Sequence, residues 1–191
     1  MNVILASQSP RRRELLGLTG LEFVVRAADI DETMNPDRDP REEVARLSRE
    51  KAMAVSRQPD DAVIAADTIV VCDGNVLGKP RDEAEAFRML RLLSGREHQV
   101  MTGLTALRGE RVITCTEVTH VRFRELSDGE IRAYIATGEP MDKAGSYGIQ
   151  GGAALFVTGL EGDYFNVVGL PVCRLTGILR SLGLPVMGEC A

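Results

Sequence analysis

The sequence has no tryptophan and only two histidines, His98 and His120. Two imidazoles exclude a multi-histidine metal centre. Neither has a serine or acidic partner at motif spacing, and there is no Gly-x-Ser-x-Gly elbow, so both histidines read as structural. Aromatic residues make up 4% of the chain, too few for a base-stacking platform, and a net charge of −5 argues against a broad nucleic-acid footprint. The four cysteines, Cys72, Cys115, Cys173 and Cys190, are scattered without a Cys-x-x-Cys pair. That argues against a zinc site or disulfide framework and fits thiols kept reduced in a cytoplasm. No apolar run approaches the length of a membrane span, and no signal-peptide pattern is visible at the N-terminus. No Walker loop is present.

What is present is the balance of an ordinary soluble protein, 44% hydrophobic and 27% charged over 191 residues, enough for one domain with a sizeable core. Residues 2–6 read as a strand and 10–18 as a helix, with Ser9 as N-cap and Pro10 at the first helical position. A strand over 22–28 leads into Asp29-Ile-Asp-Glu32. Asp39-Pro-Arg-Glu42 starts a helix to about Ser56, and residues 62–72 form a near-continuous apolar strand ended by Asp73-Gly-Asn75. A capped helix from Asp82 to Ser94-Gly95 precedes two long strands, 98–107 and 112–124, in a hairpin. Ser127 and Glu130 make a capping box for a short helix ended by Gly138. After the glycine-rich Gly145–Gly152 stretch come a second hairpin, 153–159 and 164–169, and a last helix from Pro171 to Leu182. Early strand–helix alternation followed by hairpins predicts an α/β fold with a mixed, largely antiparallel sheet flanked by helices.

Several charges stand where charges are costly. Arg11, Arg12 and Arg13 crowd a helix N-terminus that already carries partial positive charge. With Ser7, Ser9 and the free backbone N–H groups they would make a phosphate cradle, unless they are simply solvated. Asp67 lies in the strand Val63-Ile-Ala-Ala-Asp-Thr-Ile-Val-Val71, where an unpaired carboxylate would cost several kcal/mol. It meets a metal, a cation or a substrate, or it belongs to a structural buried pair or is placed in solvent by a chain bend. Lys51 falls on the apolar stripe of Val44, Leu47 and Val55, where it must snorkel or point into a cleft. Asp31 and Glu32, at a strand end, suit Mg²⁺ or Mn²⁺ or form an exposed acidic loop. Lys79 either reaches back over the Asp67 strand or is an ordinary loop lysine. Gln150, in the glycine-rich stretch, either reads a base edge with its paired donor and acceptor or sits in a plain connecting loop.

Five blocks in order carry a resemblance. They are Ser7-Gln-Ser-Pro-Arg-Arg12, Ala66-Asp-Thr-Ile-Val70, Gly78-Lys-Pro80, Asp142-Lys-Ala-Gly-Ser-Tyr-Gly-Ile-Gln-Gly151 and Asn166-Val-Val-Gly-Leu-Pro171. Together they resemble the Maf family of nucleoside triphosphate pyrophosphatases over nearly the whole chain. The resemblance implies an elongated, two-lobed single domain over residues 1–191, similar to the inosine triphosphatase group, with a central cleft. It implies release of pyrophosphate from a nucleoside triphosphate with a divalent cation, Mg²⁺ or Mn²⁺, in a cytoplasmic and often dimeric protein; composition and the lack of a long apolar run add the expectation of no nucleic-acid or membrane partner. Carried over by position, Asp67 matches the catalytic base. Arg11, Thr68 and Gln150 match positions tied to substrate choice, and Ser9, Arg12, Glu32, Lys51 and Lys79 line the cleft. In that scheme Glu32 and Asp67 hold the metal. The block ending in Gln150 resembles the branch acting on dTTP and UTP. The alternatives are a branch acting on 7-methyl-GTP or other modified nucleotides, and a non-enzymatic regulator of septum formation.

Overall fold

The computed structural model describes residues 1–187, so Cys190 lies outside the described residues. The first strand, β1 (Val3–Leu5), is fully buried and leads into helix α1 (Pro10–Gly17). β2 (Val24–Val25) is two residues long and exposed, much shorter than the 22–28 expected. It pairs in parallel with one side of β1 and sits at the sheet edge, where little apolar burial extends it. Helix α2 (Pro40–Ala54) follows, capped by Asp39, whose side chain accepts from the Arg41 N–H. β3 (Ala62–Cys72) is eleven residues long and buried at every position but one.

The Asp73-Gly74 pair does more than end β3. Both residues have positive φ, 49° and 78°, and turn the chain back into β4 (Asn75–Leu77), antiparallel to β3. Two central residues with φ > 0 define the hairpin turn whose twist matches its strands, so Asp-Gly was a hairpin signal. Helix α3 (Glu83–Leu93) is capped by Asp82, and β5 (Glu97–Arg108) and β6 (Arg111–Phe123) form the expected long hairpin. Helix α4 (Asp128–Ile135) starts with the full Ser127–Glu130 capping box.

The expected second hairpin is not formed. Residues 152–155 make a single 3₁₀ turn, and β7 (Val157–Glu161) pairs antiparallel with β6. Residues 164–168 are a helix, α5 (Tyr164–Val168), instead of a strand. Their β-forming composition is overridden by local capping, because the Asp163 carboxylate accepts the Phe165 N–H at 2.8 Å. Inside α5 the Asn166 amide is buried and donates to the Val100 carbonyl and the Thr119 hydroxyl. The last helix is α6 (Val172–Ser181).

The seven strands form one mixed sheet in the order β2-β1-β3-β5-β6-β7, with β4 on β3. The chain divides into two compact units. The first comprises, of the described residues, 1–67, 102–117 and 169–187. Its core includes a cluster of Ile4, Val63, Ala65 and Leu107 with Ala52 of α2 and Val55 just after that helix. The second comprises residues 68–101 and 118–168 and packs Leu90, Leu93, Ile131, Phe123, Tyr147 and Phe156 together. Each fully buried leucine or isoleucine contributes roughly 1.5–3 kcal/mol of burial.

Candidate active site

In the first unit, the start of α1 is built as a polar cradle. Ser9 is the N-cap, its hydroxyl accepting the Arg12 N–H at 3.5 Å, and no acidic residue occupies the first turn. The Ser7 hydroxyl accepts the Ser9 N–H at 3.2 Å. The half-buried Arg12 spreads its guanidinium across the chain: Nε donates to the Gly169 carbonyl at 2.8 Å and Nη1 to the Ser7 hydroxyl at 3.3 Å. Gly169, at φ 125°, occupies backbone space that favours glycine. The Asn166–Pro171 block, which sequence reasoning left without a task, therefore supplies the carbonyl that aims Arg12. Burial lowers the pKa of Arg12; the charge of Asp67 opposes that, the neighbouring Arg11 adds to it, and Glu32 opposes it. Arg12 thus lies within electrostatic reach of Asp67, Arg11 and Glu32.

The two separate anomalies, Asp67 and Lys51, are partners. Lys51 Nζ donates to Asp67 Oδ1 at 2.5 Å, and both residues are buried, at 7% and 9% exposure. The same ammonium meets Glu32 Oε1 at 2.9 Å, where the carboxylate is mostly exposed. Lys51 neither snorkels nor stands alone; a buried ion pair, one of the readings open for Asp67, is present, and no chain bend carries Asp67 into solvent. A structural pair accounts for two charges; a third group at its exposed end makes the cluster accessible from solvent.

The donor set suits a hard cation. Two carboxylates already converge on one positive centre, and Mg²⁺ needs only one or two carboxylates beside water and phosphate oxygens. Among the described residues, no three His, Cys, Asp or Glu side chains stand together as a self-sufficient metal site.

The loop carrying Glu32 is strapped to α2 by residues that sequence reasoning missed. Glu43, 1% exposed, accepts the Asn35 N–H at 2.8 Å and two bonds from Arg46, at 3.0 and 2.8 Å. Arg46 also donates to the Thr33 carbonyl at 3.0 Å, and Asp31 caps the Thr33 N–H at 2.9 Å. Hydrogen bonds from Arg46 and then Asn35 hold Glu43 at a pKa of about 2. Glu43, Leu47 and Lys51 recur at intervals of four along α2, so the stripe that singled out Lys51 also contained Glu43.

The second unit carries Thr68, Lys79 and Gln150. Thr68 is half-buried on β3; Lys79 and Gln150 are exposed. Their segments share a framework. The Gly145 N–H donates to the Gly78 carbonyl at 3.1 Å, tying the glycine-rich stretch to the loop of Lys79. A Cβ on Gly145 would stand 2.8 Å from Val70, two residues beyond Thr68 on β3. Tyr147 is fixed behind the loop by a 2.8 Å hydrogen bond to His98 Nε2 and by edge-on packing against His98 and Phe123. His98 is therefore structural, and burial lowers its pKa to about 4. Ser9, Arg11, Arg12, Glu32, Lys51 and Asp67 belong to the first unit, and Thr68, Lys79 and Gln150 to the second.

The chain matches known proteins along most of its length. It is 53% identical over 185 residues to the dTTP/UTP pyrophosphatase of Symbiobacterium thermophilum, covering 96% of this chain and 95% of that one. It is 54% identical over 185 residues to the dTTP/UTP pyrophosphatase of Geotalea uraniireducens, covering 95% of each. Among solved structures, a HAM1 protein from Coxiella burnetii aligns with 95% of this chain and 99% of its own at a TM-score of 0.49 and 15% identity. The family described as Maf-like protein matches residues 2–182, and with these residues in place the chain belongs to the Maf family.

Proposed function

We propose that this protein hydrolyses dTTP and UTP to the nucleoside monophosphate and pyrophosphate. The observation that carries the proposal is the knot of Lys51, Asp67 and Glu32 within the field of Arg12, in a chain about half identical to relatives named for that activity. A nucleoside triphosphate brings several negative charges, and the cradle of α1 offers backbone N–H groups, the Ser9 hydroxyl and the forks of Arg11 and Arg12. Lys51 and Lys79 add compact positive charge.

In the reaction, a water oxygen attacks the α-phosphorus and the bond from that phosphorus to the bridging oxygen breaks. The electron pair leaves with pyrophosphate. Asp67 orients the water and takes its proton. Lys51 holds the Asp67 carboxylate in place through their hydrogen bond. A divalent cation, Mg²⁺ or Mn²⁺, when held by the oxygens of Asp67 and Glu32, supplies positive charge for the phosphates and makes a bound water more acidic. The catalysis is mostly positioning and charge stabilisation. Thr68 and Gln150 select the base, a pyrimidine with a carbonyl at C4, because an amide presents a donor and an acceptor side by side.

A panel of nucleoside triphosphates with pyrophosphate detection tests the proposal. Release from dTTP and UTP ahead of the others is the expected result. Release mainly from 7-methyl-GTP assigns the other branch of the family, and nucleotide binding without release assigns a non-enzymatic regulator. A homodimer and a cytoplasmic location belong to the same reading, and light scattering and cell fractionation test them.

A further inference from the structure

The glycine-rich loop that carries Gln150 is organised around a side chain to which nothing above gives a task, Glu139. Its carboxylate is inserted between helix α4 and the loop. Glu139 Oε1 accepts the Tyr134 hydroxyl at 2.9 Å, and Oε2 accepts the Gly152 N–H at 3.0 Å. The Tyr134 oxygen in turn accepts the Gly148 N–H at 3.0 Å. The two backbone groups flanking Gln150, at positions 148 and 152, are thus tied to one Tyr–Glu pair. Tyr134 itself is anchored by edge-on packing against Phe156, with ring centroids 5.2 Å apart.

The loop backbone lies close against these side chains. A Cβ on Gly151 would lie 2.2 Å from Glu139 Oε1 and 2.4 Å from its carboxyl carbon, and one on Gly148 would lie 2.8 Å from Lys143. Glycine at 148 and 151 lets the loop lie directly against the ends of Lys143 and Glu139 as they stand. Lys143 Nζ donates to the Glu139 carbonyl at 2.6 Å and bonds Asp142 at the same distance, securing the backbone from which Glu139 projects. Gln150 remains exposed at the crest of a loop whose two flanks are fastened.

We propose that Glu139 is a positioning residue for base selection: by holding both flanks of the 148–152 loop through Tyr134 and Gly152, it fixes where the Gln150 amide is presented. The inference rests on the reading of Gln150 as the base-selecting group. An amide discriminates between bases only if its donor and acceptor are held in place, because a freely rotating one satisfies either edge pattern. Glutamine at position 139 can keep both bonds, its carbonyl oxygen accepting the Gly152 N–H while its amide turns toward the Tyr134 oxygen; alanine keeps neither.

The experiment measures kcat/KM for dTTP and dCTP in the wild type, Gln150→Ala, Glu139→Ala, Glu139→Gln and the Gln150→Ala/Glu139→Ala double variant. Amide exchange over residues 148–152 is followed in the same proteins. Expected are a loss of dTTP preference of about tenfold in Glu139→Ala, its restoration in Glu139→Gln, and no further loss when Glu139→Ala is added to Gln150→Ala. Exchange at Gly148 and Gly152 rises in Glu139→Ala. Unchanged exchange in Glu139→Ala overturns the proposal, and so does a preference lost in Gln150→Ala but kept in Glu139→Ala. A preference unchanged in Gln150→Ala overturns the base-reading role instead, and the exchange data then decide separately whether Glu139 holds the loop.

Discussion

Lys51 and Asp67, sixteen residues apart in sequence, share a hydrogen bond of 2.5 Å inside the first unit. Lys51 is the cation that meets the buried Asp67 carboxylate. Removing Lys51 takes the ammonium away from the buried Asp67 carboxylate, so Lys51→Met should lower stability by about 3–5 kcal/mol in urea unfolding. The double replacement Lys51→Met/Asp67→Leu should recover most of that loss, since two apolar groups of similar volume replace the pair. Equal destabilisation by single and double variants would contradict the coupling.

Asp67→Asn separates chemistry from stability. Glu32 still neutralises Lys51 at 2.9 Å, so the fold should survive the loss of the Asp67 charge. Turnover of dTTP should fall by about two orders of magnitude or more, the usual contribution of a positioned base. Near wild-type turnover would remove Asp67 from the proposed chemistry.

Arg12→Lys tests the cradle. The guanidinium contacts the Gly169 carbonyl and the Ser7 hydroxyl with two different nitrogens, and a lysine ammonium has no fork to span them. KM for the triphosphate should rise about tenfold with a smaller change in kcat. An unchanged KM would make the arginine a structural clasp.

Much of this was legible along the chain because the relevant physics is local. Ser9, Asp39, Asp82 and Ser127 each cap the helix that their type and position announce. Lys51 and Asp67 were each visible as a charge in an apolar pattern, but their pairing was not, because pairing depends on how α2 packs beside β3. Residues 164–168 form a helix although Tyr-Phe-Asn-Val-Val has strand composition, because the cap from Asp163 and the buried amide of Asn166 outweigh it. The roles of Gly169 and Glu139 are tertiary altogether. One lends a carbonyl to an arginine 157 residues away, and the other fills space that two glycines vacate.

Gly103 makes the same point about close approach and gives a stability test. A Cβ there would stand 2.1 Å from the Val44 carbonyl oxygen and 2.5 Å from its carbon, where β5 meets α2. Both neighbours are backbone, so neither can turn aside, and Gly103→Ala should cost at least about 2 kcal/mol. Gly177, inside α6, meets nothing within 4 Å. Gly177→Ala should stabilise by roughly 0.5–1 kcal/mol through helix propensity alone. Thermal unfolding of the two variants should therefore move in opposite directions, and a shared direction would contradict the packing.

His98 sets a pH window for stability. Its ring is 2% exposed and packs edge-on against Phe123 and Tyr147, and burial lowers its pKa to about 4 from an ordinary 6.5. The unfolded chain binds this proton more readily than the folded one, so stability is unaffected above about pH 6.5 and falls as the pH drops toward 4. At pH 4 the loss from this residue should reach about 3 kcal/mol. The strongly lowered carboxylates of Glu43 and Glu130, held at about 2, have a different window: their contribution is full above about 4.5 and disappears as the pH falls through 2. Urea midpoints between pH 7 and 4.5 therefore isolate the histidine. The wild type should lose stability steadily across that range, and His98→Gln, which keeps a polar group for the Tyr147 hydroxyl but does not titrate, should be nearly flat. Parallel curves for the two proteins would mean that His98 is not buried as a neutral ring.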